Sequence, residues 1–145
     1  MDNLSLFDDP KPTLSIPNID KVMYISDFIN EEDEIAILGH IDSQPWITEL
    51  DRRVQHYGFR YDYKKSNLDR NLNVPKIPIW LSHTVRELIE ECSLDQPPNQ
   101  LIINEYLPGQ GISEHIDAPD IFGDTIIMVS LGSSCIMDFS LEEDG

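Results

Sequence analysis

No stretch of about 18 consecutive apolar residues occurs, which excludes a simple membrane-spanning helix. No basic segment precedes an apolar one, so nothing reads as a secretion signal. Cations are scarce: 10 Lys and Arg stand against 27 Asp and Glu, a formal charge of −17. Such a balance opposes a polyanionic partner over the molecule as a whole and favours solubility. Cysteine is nearly absent; Cys92 and Cys135 make no metal-binding spacing. They fit a reduced, cytoplasmic protein, with a disulfide between them left open. No internal repeat is visible. What is present is an ordinary hydrophobic fraction of 40% in 145 residues, which excludes a disordered chain and gives one domain with a core.

The chain is organised around residues 100 to 117. A strand-like run from Gln100 to Tyr106 enters a Pro108-Gly109 turn, and Gly111 reopens the chain toward His115-x-Asp117. Side chains two apart on a strand share a face. His115 and Asp117 therefore offer an imidazole nitrogen and a carboxylate on one side. Those are two members of the 2-His-1-carboxylate set that holds iron(II) while leaving coordination positions open. Taken alone, the pair also fits a loop or a satisfied surface contact. Asn104 and Tyr106 have the same period-2 relation and can offer an amide and a phenol to a ligand beside a metal.

A second informative stretch runs from 52 to 76. It holds Arg52, Arg53, Arg60, Lys64, Lys65, Arg70 and Lys76, seven of the ten cations in a strongly acidic chain. Tyr57, Phe59, Tyr61 and Tyr63 alternate through it and are expected to share one strand face. Cations for phosphates and flat rings for stacking suit a short single-stranded or flipped nucleotide. The competing reading is a hairpin whose aromatic face lies in the core and whose Lys and Arg face solvent.

Elsewhere, Val22 to Ile25 reads as a short strand. Asn30 caps a helix over about 31 to 42, with acids in its first turn and a stripe of Ile35, Leu38 and Ile41, flanked by Ala36 and Ile37. Ile79 to Cys92 reads as an amphipathic helix with Leu81, Val85, Leu88 and Ile89 inward. His83 is expected on its surface. Thr125 to Leu131 and Cys135 to Phe139 read as a hairpin turning at Gly132 to Ser134. The first 18 residues carry Pro10, Pro12 and Pro17 and read as a flexible tail. Within it, Asn3-Leu4-Ser5-Leu6-Phe7 is similar to the bacterial sliding-clamp-binding motif, with Asn3 where Gln is usual. The other reading is a tail without a partner, or one folded on its own domain.

Asn104-x-Tyr106, His115-x-Asp117, Phe122-x-Asp124, Ser130-Leu131-Gly132 and Met137-Asp138-Phe139 together resemble the AlkB family of Fe(II)- and 2-oxoglutarate-dependent dioxygenases. The resemblance covers about residues 23 to 140, and its wording is close to the branch that hydroxylates wobble uridines in tRNA. It implies an α+β fold, a double-stranded β-helix (jelly roll) with N-terminal helices on one sheet, over a domain of residues 19 to 145. It implies Fe(II) on His115 and Asp117, and 2-oxoglutarate against Asn104 and Tyr106. It implies a nucleotide-recognition lid over about 50 to 76, with Arg52, Arg53, Tyr57, Phe59, Lys64 and Lys65 as nucleic-acid contacts. The activity implied is oxidative demethylation or hydroxylation of modified bases in single-stranded DNA or RNA.

The sequence departs from the family at its end. Members place a second iron-binding His roughly fifty residues further on, then an Arg for the far carboxylate of 2-oxoglutarate. His40, His56 and His83 all lie upstream, and His56 in the lid is the nearest substitute. The jelly roll is therefore expected to be C-terminally incomplete. A fragment, a two-chain enzyme and a non-catalytic relative acting by binding all remain open readings, as does a cupin-like small-molecule binder, against which the basic aromatic stretch argues.

Overall fold

The computed structural model describes residues 22–48, 50–62, 67–69, 74–117 and 122–140. The expected tail, with its clamp-like segment, lies outside them, as do Lys64 and Lys65. The architecture is mixed α+β: two helices and two small antiparallel sheets among the described residues.

The first helix, α1, spans Glu31–Asp42. Asn30 sits in extended backbone and its side-chain oxygen accepts the Asp33 amide at 2.9 Å. That satisfies one of the four unpaired donors of a helix start, while Glu31, Glu32, Asp33 and Glu34 lie favourably in the dipole. The buried stripe is Ile37 and Ile41. Ile35, expected inside, is 65% exposed. Two residues before Ile37 is about 200° around a helix, so both cannot face the core.

Strand β1, Arg53–Tyr57, pairs antiparallel with β4, Leu101–Glu105. The register sets Arg53 opposite Glu105, Val54 opposite Asn104, Gln55 opposite Ile103 and His56 opposite Ile102. On its other edge β1 meets Ile47 through two backbone hydrogen bonds of 2.9 Å to Val54. β1 is thus the central strand, and Val54, 1% exposed, is the most deeply buried side chain of the core. Strands β2, Arg60–Asp62, and β3, Asn67–Asp69, form the second sheet.

Gly58 ends β1 with φ +78°. Its amide donates to the Pro75 carbonyl at 2.7 Å, and a Cβ there would overlap the carbonyl oxygen of Asn99. Only glycine satisfies both the left-handed backbone and the close approach. This break corrects the expectation that Tyr57 and Phe59 continue along one strand face. Tyr57 belongs to β1 and is buried; Phe59 follows the break and is 41% exposed.

The second helix begins as a 3₁₀ turn, Ile79–Leu81, entered from Pro78, and continues as α2, Ser82–Glu91. Val85, Leu88 and Ile89 are half-buried along its inner face while Arg86, Glu87, Glu90 and Glu91 are exposed. His83 lies on the surface beside Glu87, 3.0 Å away. His40 stacks on Trp80 with ring centres 5.2 Å apart, joining α1 to the 3₁₀ turn.

Two expected strand regions are not ladders. Val22 to Ile25 has no regular structure, with Met23 62% exposed. Residues 125–131 and 135–139 likewise form no ladder, although Gly132 makes its turn at φ +76° and donates its amide to Glu34 at 2.6 Å. Ile126, Met128 and Ile136 are exposed there. β-propensity measures fit to a half-buried pleated surface, and these side chains have none to pack on.

Candidate metal and ligand site

The β1–β4 ribbon has two faces, and its register decides which residues meet. On one face Arg53 forks onto Glu105, with Nε and Nη2 each 2.5 Å from a carboxylate oxygen. The same guanidinium lies 3.5 Å from Asp42 and 4.3 Å over the Trp46 ring. The hydrogen bond that Arg53 donates to Glu105, with the charges of Glu105 and Asp42 adding to it, holds the Arg53 pKa above its usual value. Beside it, Gln55 donates to the Ile41 carbonyl at 2.9 Å and accepts the Tyr57 hydroxyl at 2.9 Å. Burial pushes the Tyr57 phenol pKa up. This face is bolted to α1.

The opposite face carries Arg52, Val54, His56, Ile102, Asn104 and Tyr106. Arg52 precedes β1, and its Nε donates to Asn104 Oδ1 at 2.9 Å. Its guanidinium lies 5.8 Å from the centre of the Tyr106 ring. Asn104 is exposed and Tyr106 is 42% exposed, so this end of the face opens to solvent. His56 is buried on the same face, 7% exposed.

After β4 the chain turns at Pro108-Gly109. Gln110 pins the turn, accepting the Leu107 amide at 2.8 Å and donating to the Asp51 carbonyl at 2.6 Å. The segment then presents His115 and Asp117. His115 Nδ1 meets the Ser113 carbonyl at 2.8 Å. A carbonyl only accepts, so Nδ1 carries the proton and Nε2 keeps its lone pair. Nε2 lies 3.8 Å from Asp117 Oδ1, and both side chains are about half exposed.

Two electron-pair donors on the same side, with the imidazole tautomer fixed from behind, fit two positions around an iron(II) ion. Donors about 2.1 Å from a metal and at right angles lie on the order of 3 Å apart, close to this separation. Among the described residues no third His, Cys, Asp or Glu joins them. His56, the nearest substitute in sequence, is buried on the β1–β4 ribbon and does not join this pair.

The predicted site residues therefore fall into distinct groups. The structure brings Arg52 together with Asn104 and Tyr106, and His115 with Asp117. It separates Arg52 from Arg53, which sit on opposite faces. Arg53 and Tyr57, both expected to touch nucleic acid, are engaged within the protein. Phe59 is exposed. Sequence reasoning missed Glu105 and Gln110. Glu105 sits between Asn104 and Tyr106, and its period-2 offset was the available signal that it faces away from them. A shallow cavity of about 130 Å³ lies on the Arg53 side, lined by Thr48, Leu50, Glu105, Leu107 and Gln110 among others; none of His115, Asp117, Asn104 and Tyr106 borders it.

No described helix is long and apolar enough to cross a membrane. The profile of the 2OG-Fe(II) oxygenase superfamily matches residues 22–144. An uncharacterized protein of Acanthamoeba polyphaga mimivirus is 34% identical over 84% of this chain and 58% of its own length. The tRNA (carboxymethyluridine(34)-5-O)-methyltransferase alkbh8 of Xenopus tropicalis is 33% identical over 81% of this chain. The chain spans only 20% of that relative. The alpha-ketoglutarate-dependent dioxygenase alkB homolog 4 of Homo sapiens is 25% identical over 86% of this chain and 42% of its own. With the match running through β1, β4 and the His115–Asp117 segment, the chain belongs to the 2OG-Fe(II) oxygenase superfamily, as an AlkB-homologue domain.

Proposed function

We propose that this chain carries the metal and co-substrate contacts of an AlkB-type dioxygenase that demethylates or hydroxylates a modified base in short single-stranded DNA or RNA. The observation that carries the reading is the His115–Asp117 pair, with Nε2 and Oδ1 facing each other at 3.8 Å and Nδ1 anchored to Ser113. Bound iron(II) supplies the activation of dioxygen with 2-oxoglutarate and the oxidation of a C–H bond. The chain's own residues hold and orient. Ser113 fixes the His115 ring so that Nε2 faces the metal position. Asp117 adds the negative charge that favours a dication. Asn104 and Tyr106 contact the keto acid. When the oxidised carbon is an N-methyl group, its hydroxylated form breaks down to formaldehyde and the free base.

On the nucleic-acid side, Arg52, Phe59, Lys64 and Lys65 make the contacts, while Arg53 and Tyr57 brace the strand that carries them. The overall charge of −17 does not prevent this. Screening at physiological salt limits a phosphate's view to about 8 Å, so local cations decide. The footprint is then a few nucleotides with a shallow salt slope. The family implies a double-stranded β-helix, in which β1 and β4 are one antiparallel pair.

A second substrate, a wobble uridine of tRNA, is favoured by a specific finding. Relatives 33% identical to this chain in Xenopus tropicalis and Mus musculus are named for carboxymethyluridine at tRNA position 34. The alkB homolog 4 relative stands at 25%.

The test is anaerobic Mn(II) titration followed by His115 and Asp117 line broadening in NMR spectra. It is paired with formaldehyde release from 1-methyladenine in a single-stranded oligonucleotide and with hydroxylation of a carboxymethyluridine-containing tRNA loop. Asp117→Ala and His115→Ala should each weaken Mn(II) binding at least about tenfold and abolish any turnover. Unchanged Mn(II) affinity in Asp117→Ala would remove the metal assignment.

A further inference from the structure

The β1–β4 ladder stops one rung short of where its register leads. Val54 turns its backbone N–H and C=O to Ile47, so the alternating residues Arg53, Gln55 and Tyr57 turn theirs to β4. Continued by one more hydrogen-bonding pair, the register sets Asp51 against Leu107. The two are joined, but through a third group. The Gln110 side-chain amide accepts the Leu107 N–H at 2.8 Å and donates to the Asp51 carbonyl at 2.6 Å. A primary amide has the donor and acceptor of a peptide group, so it replaces the rung and widens it by its own breadth. The cavity of about 130 Å³ opens at this point, with Asp51, Leu107 and Gln110 in its wall.

Local geometry puts Gln110 there. In Leu107-Pro108-Gly109-Gln110 the Gln110 amide closes onto the Leu107 carbonyl at 2.9 Å, with Pro108 second and Gly109 third at φ +86°. That is the pattern of a type II turn, and it folds Gln110 back over Leu107. From Gln110 the chain runs on to Ser113, His115 and Asp117, and Glu114 near the far end of this run is hydrogen-bonded to Ser140. Gln110 is thus where the segment carrying the metal pair leaves the ribbon, and its side chain grips both strands at that point. We propose that Gln110 is a positioning residue: by parting the strands and holding both, it sets where His115 and Asp117 stand relative to Asn104 and Tyr106. The proposal rests on the reading of those four residues as metal and ligand contacts. The side-chain hydrogen bonds of Gln110 go to backbone, so it acts through the chain and not on a ligand.

The experiment uses NMR spectra of the isotope-labelled 145-residue chain. Gln110→Met keeps a long unbranched side chain and loses both hydrogen bonds. In the metal-free chain, exchange of the Leu107 amide with solvent should accelerate about tenfold. The amide resonances of Ile112 to Asp117 should shift. Mn(II) is then added, with His115 broadening as the sign of binding. Paramagnetic relaxation is read at the Asn104 side-chain amide and the Tyr106 ring, relative to the Ile112 amide within the segment. Its rate falls with the inverse sixth power of distance from the metal. A displacement on the order of 1 Å, enough to matter to catalysis, changes the relative rates about twofold. Gln110→Met should show such a change. Its Mn(II) affinity should stay within about threefold of wild type, because the His115–Asp117 pair and its Ser113 anchor are kept. Gln110→Glu keeps the acceptor for Leu107 and turns an oxygen, in place of the donor, toward the Asp51 carbonyl. Leu107 should stay protected there while the relative rates still change.

Wild-type exchange at Leu107 in Gln110→Met overturns the proposal, as do unshifted resonances over 112–117. A lower urea midpoint with unchanged relative rates means that Gln110 only stabilises the turn, and overturns it too. The two readings fail separately. If His115 does not broaden in the wild type, the metal assignment falls, and exchange and shifts in the metal-free chain still decide whether Gln110 sets the segment. If His115 broadens and the relative rates are the same in both variants as in wild type, the metal assignment stands and this proposal falls.

Discussion

On one face of the β1–β4 ribbon, Arg53, Gln55 and Tyr57 reach α1, Trp46 and Glu105; on the other, Arg52 reaches Asn104 and Tyr106. Arg52 and Arg53 are adjacent and chemically identical, yet one strand pleat places the first beside Asn104 and Tyr106 and the second in a structural clamp. Arg53 has Glu105 opposite in register, Asp42 at the end of α1 and an indole beneath it. A guanidinium with these partners ties β1 to β4, α1 and Trp46. Arg52 faces an amide and a phenol at the open end. Which arginine clamps the ribbon is a matter of register, and a one-residue slip would exchange them.

The largest expected effect erases the comparison altogether. Gly58→Ala places a Cβ against the Asn99 carbonyl and forces alanine to φ +78°. Neither can be relieved without moving the start of β4, because the clash is with backbone. The cost should exceed about 2 kcal/mol, lowering the thermal midpoint by about six degrees or more. Calorimetry and far-UV circular dichroism check it. A midpoint within two or three degrees of wild type would mean that β1 and β4 do not depend on this crossing.

A smaller effect sharpens the contrast between the faces. Gln55→Ala leaves the Ile41 carbonyl and the Tyr57 hydroxyl without their buried partner, at a cost of about 2–3 kcal/mol. Asn104→Ala, at the open end of the opposite face, should change stability by less than about 0.5 kcal/mol while losing the proposed keto-acid contact. Urea unfolding of the two variants side by side measures this. If Asn104→Ala were the more destabilising, Asn104 would be part of the core and its assignment to a ligand would fall.

How far this was legible beforehand depends on sequence distance. The Asn30 cap and the α1 helix are local, and their signals lie within four residues of the structure they specify. β4 was legible for the same reason, as a continuous apolar run before Pro108-Gly109. The pairing of β1 with β4 joins residues 52 apart, as between Arg53 and Glu105, and no local pattern encodes that register. Without it, Arg52 and Arg53 read as one basic patch. The alternation of Tyr57, Phe59, Tyr61 and Tyr63 suggested a continuous strand because Gly58 was passed over. Glycine inside an alternating pattern is the usual mark of a bend or a close backbone approach, and here it is both. Residues 125 to 139 have the composition of strands but form no ladder and leave Ile126, Met128, Val129, Ile136, Met137 and Phe139 exposed, so among the described residues propensity lacks a pleated surface to act on. The period-2 argument for His115 and Asp117 led to a pair on one side, although the segment is not a strand; the spacing survived where the secondary structure did not.

The smallest effect belongs to the clamped face and appears only at high pH. Burial raises the Tyr57 phenol pKa above its usual 10.0. The folded protein therefore holds this proton more tightly than the unfolded chain does. The sign follows from linkage: the contribution is fully present below the unfolded value and is lost as pH rises through the folded one. Deprotonation also removes the hydroxyl that Gln55 accepts, leaving a buried phenolate beside a carbonyl oxygen. Other tyrosines and the lysines titrate in the same range, so the wild-type curve alone is not diagnostic. Tyr57→Phe isolates the group. It should be less stable than wild type by about 1 kcal/mol at pH 8, from the lost hydrogen bond. The difference should shrink as pH rises above 10, because only the wild type has a phenol left to lose. Urea midpoints at pH 8, 9.5 and 11 measure the gap. A gap that stays constant to pH 11 would mean that Tyr57 ionises in water, outside the core, and that the bolted face is less closed than its hydrogen bonds indicate.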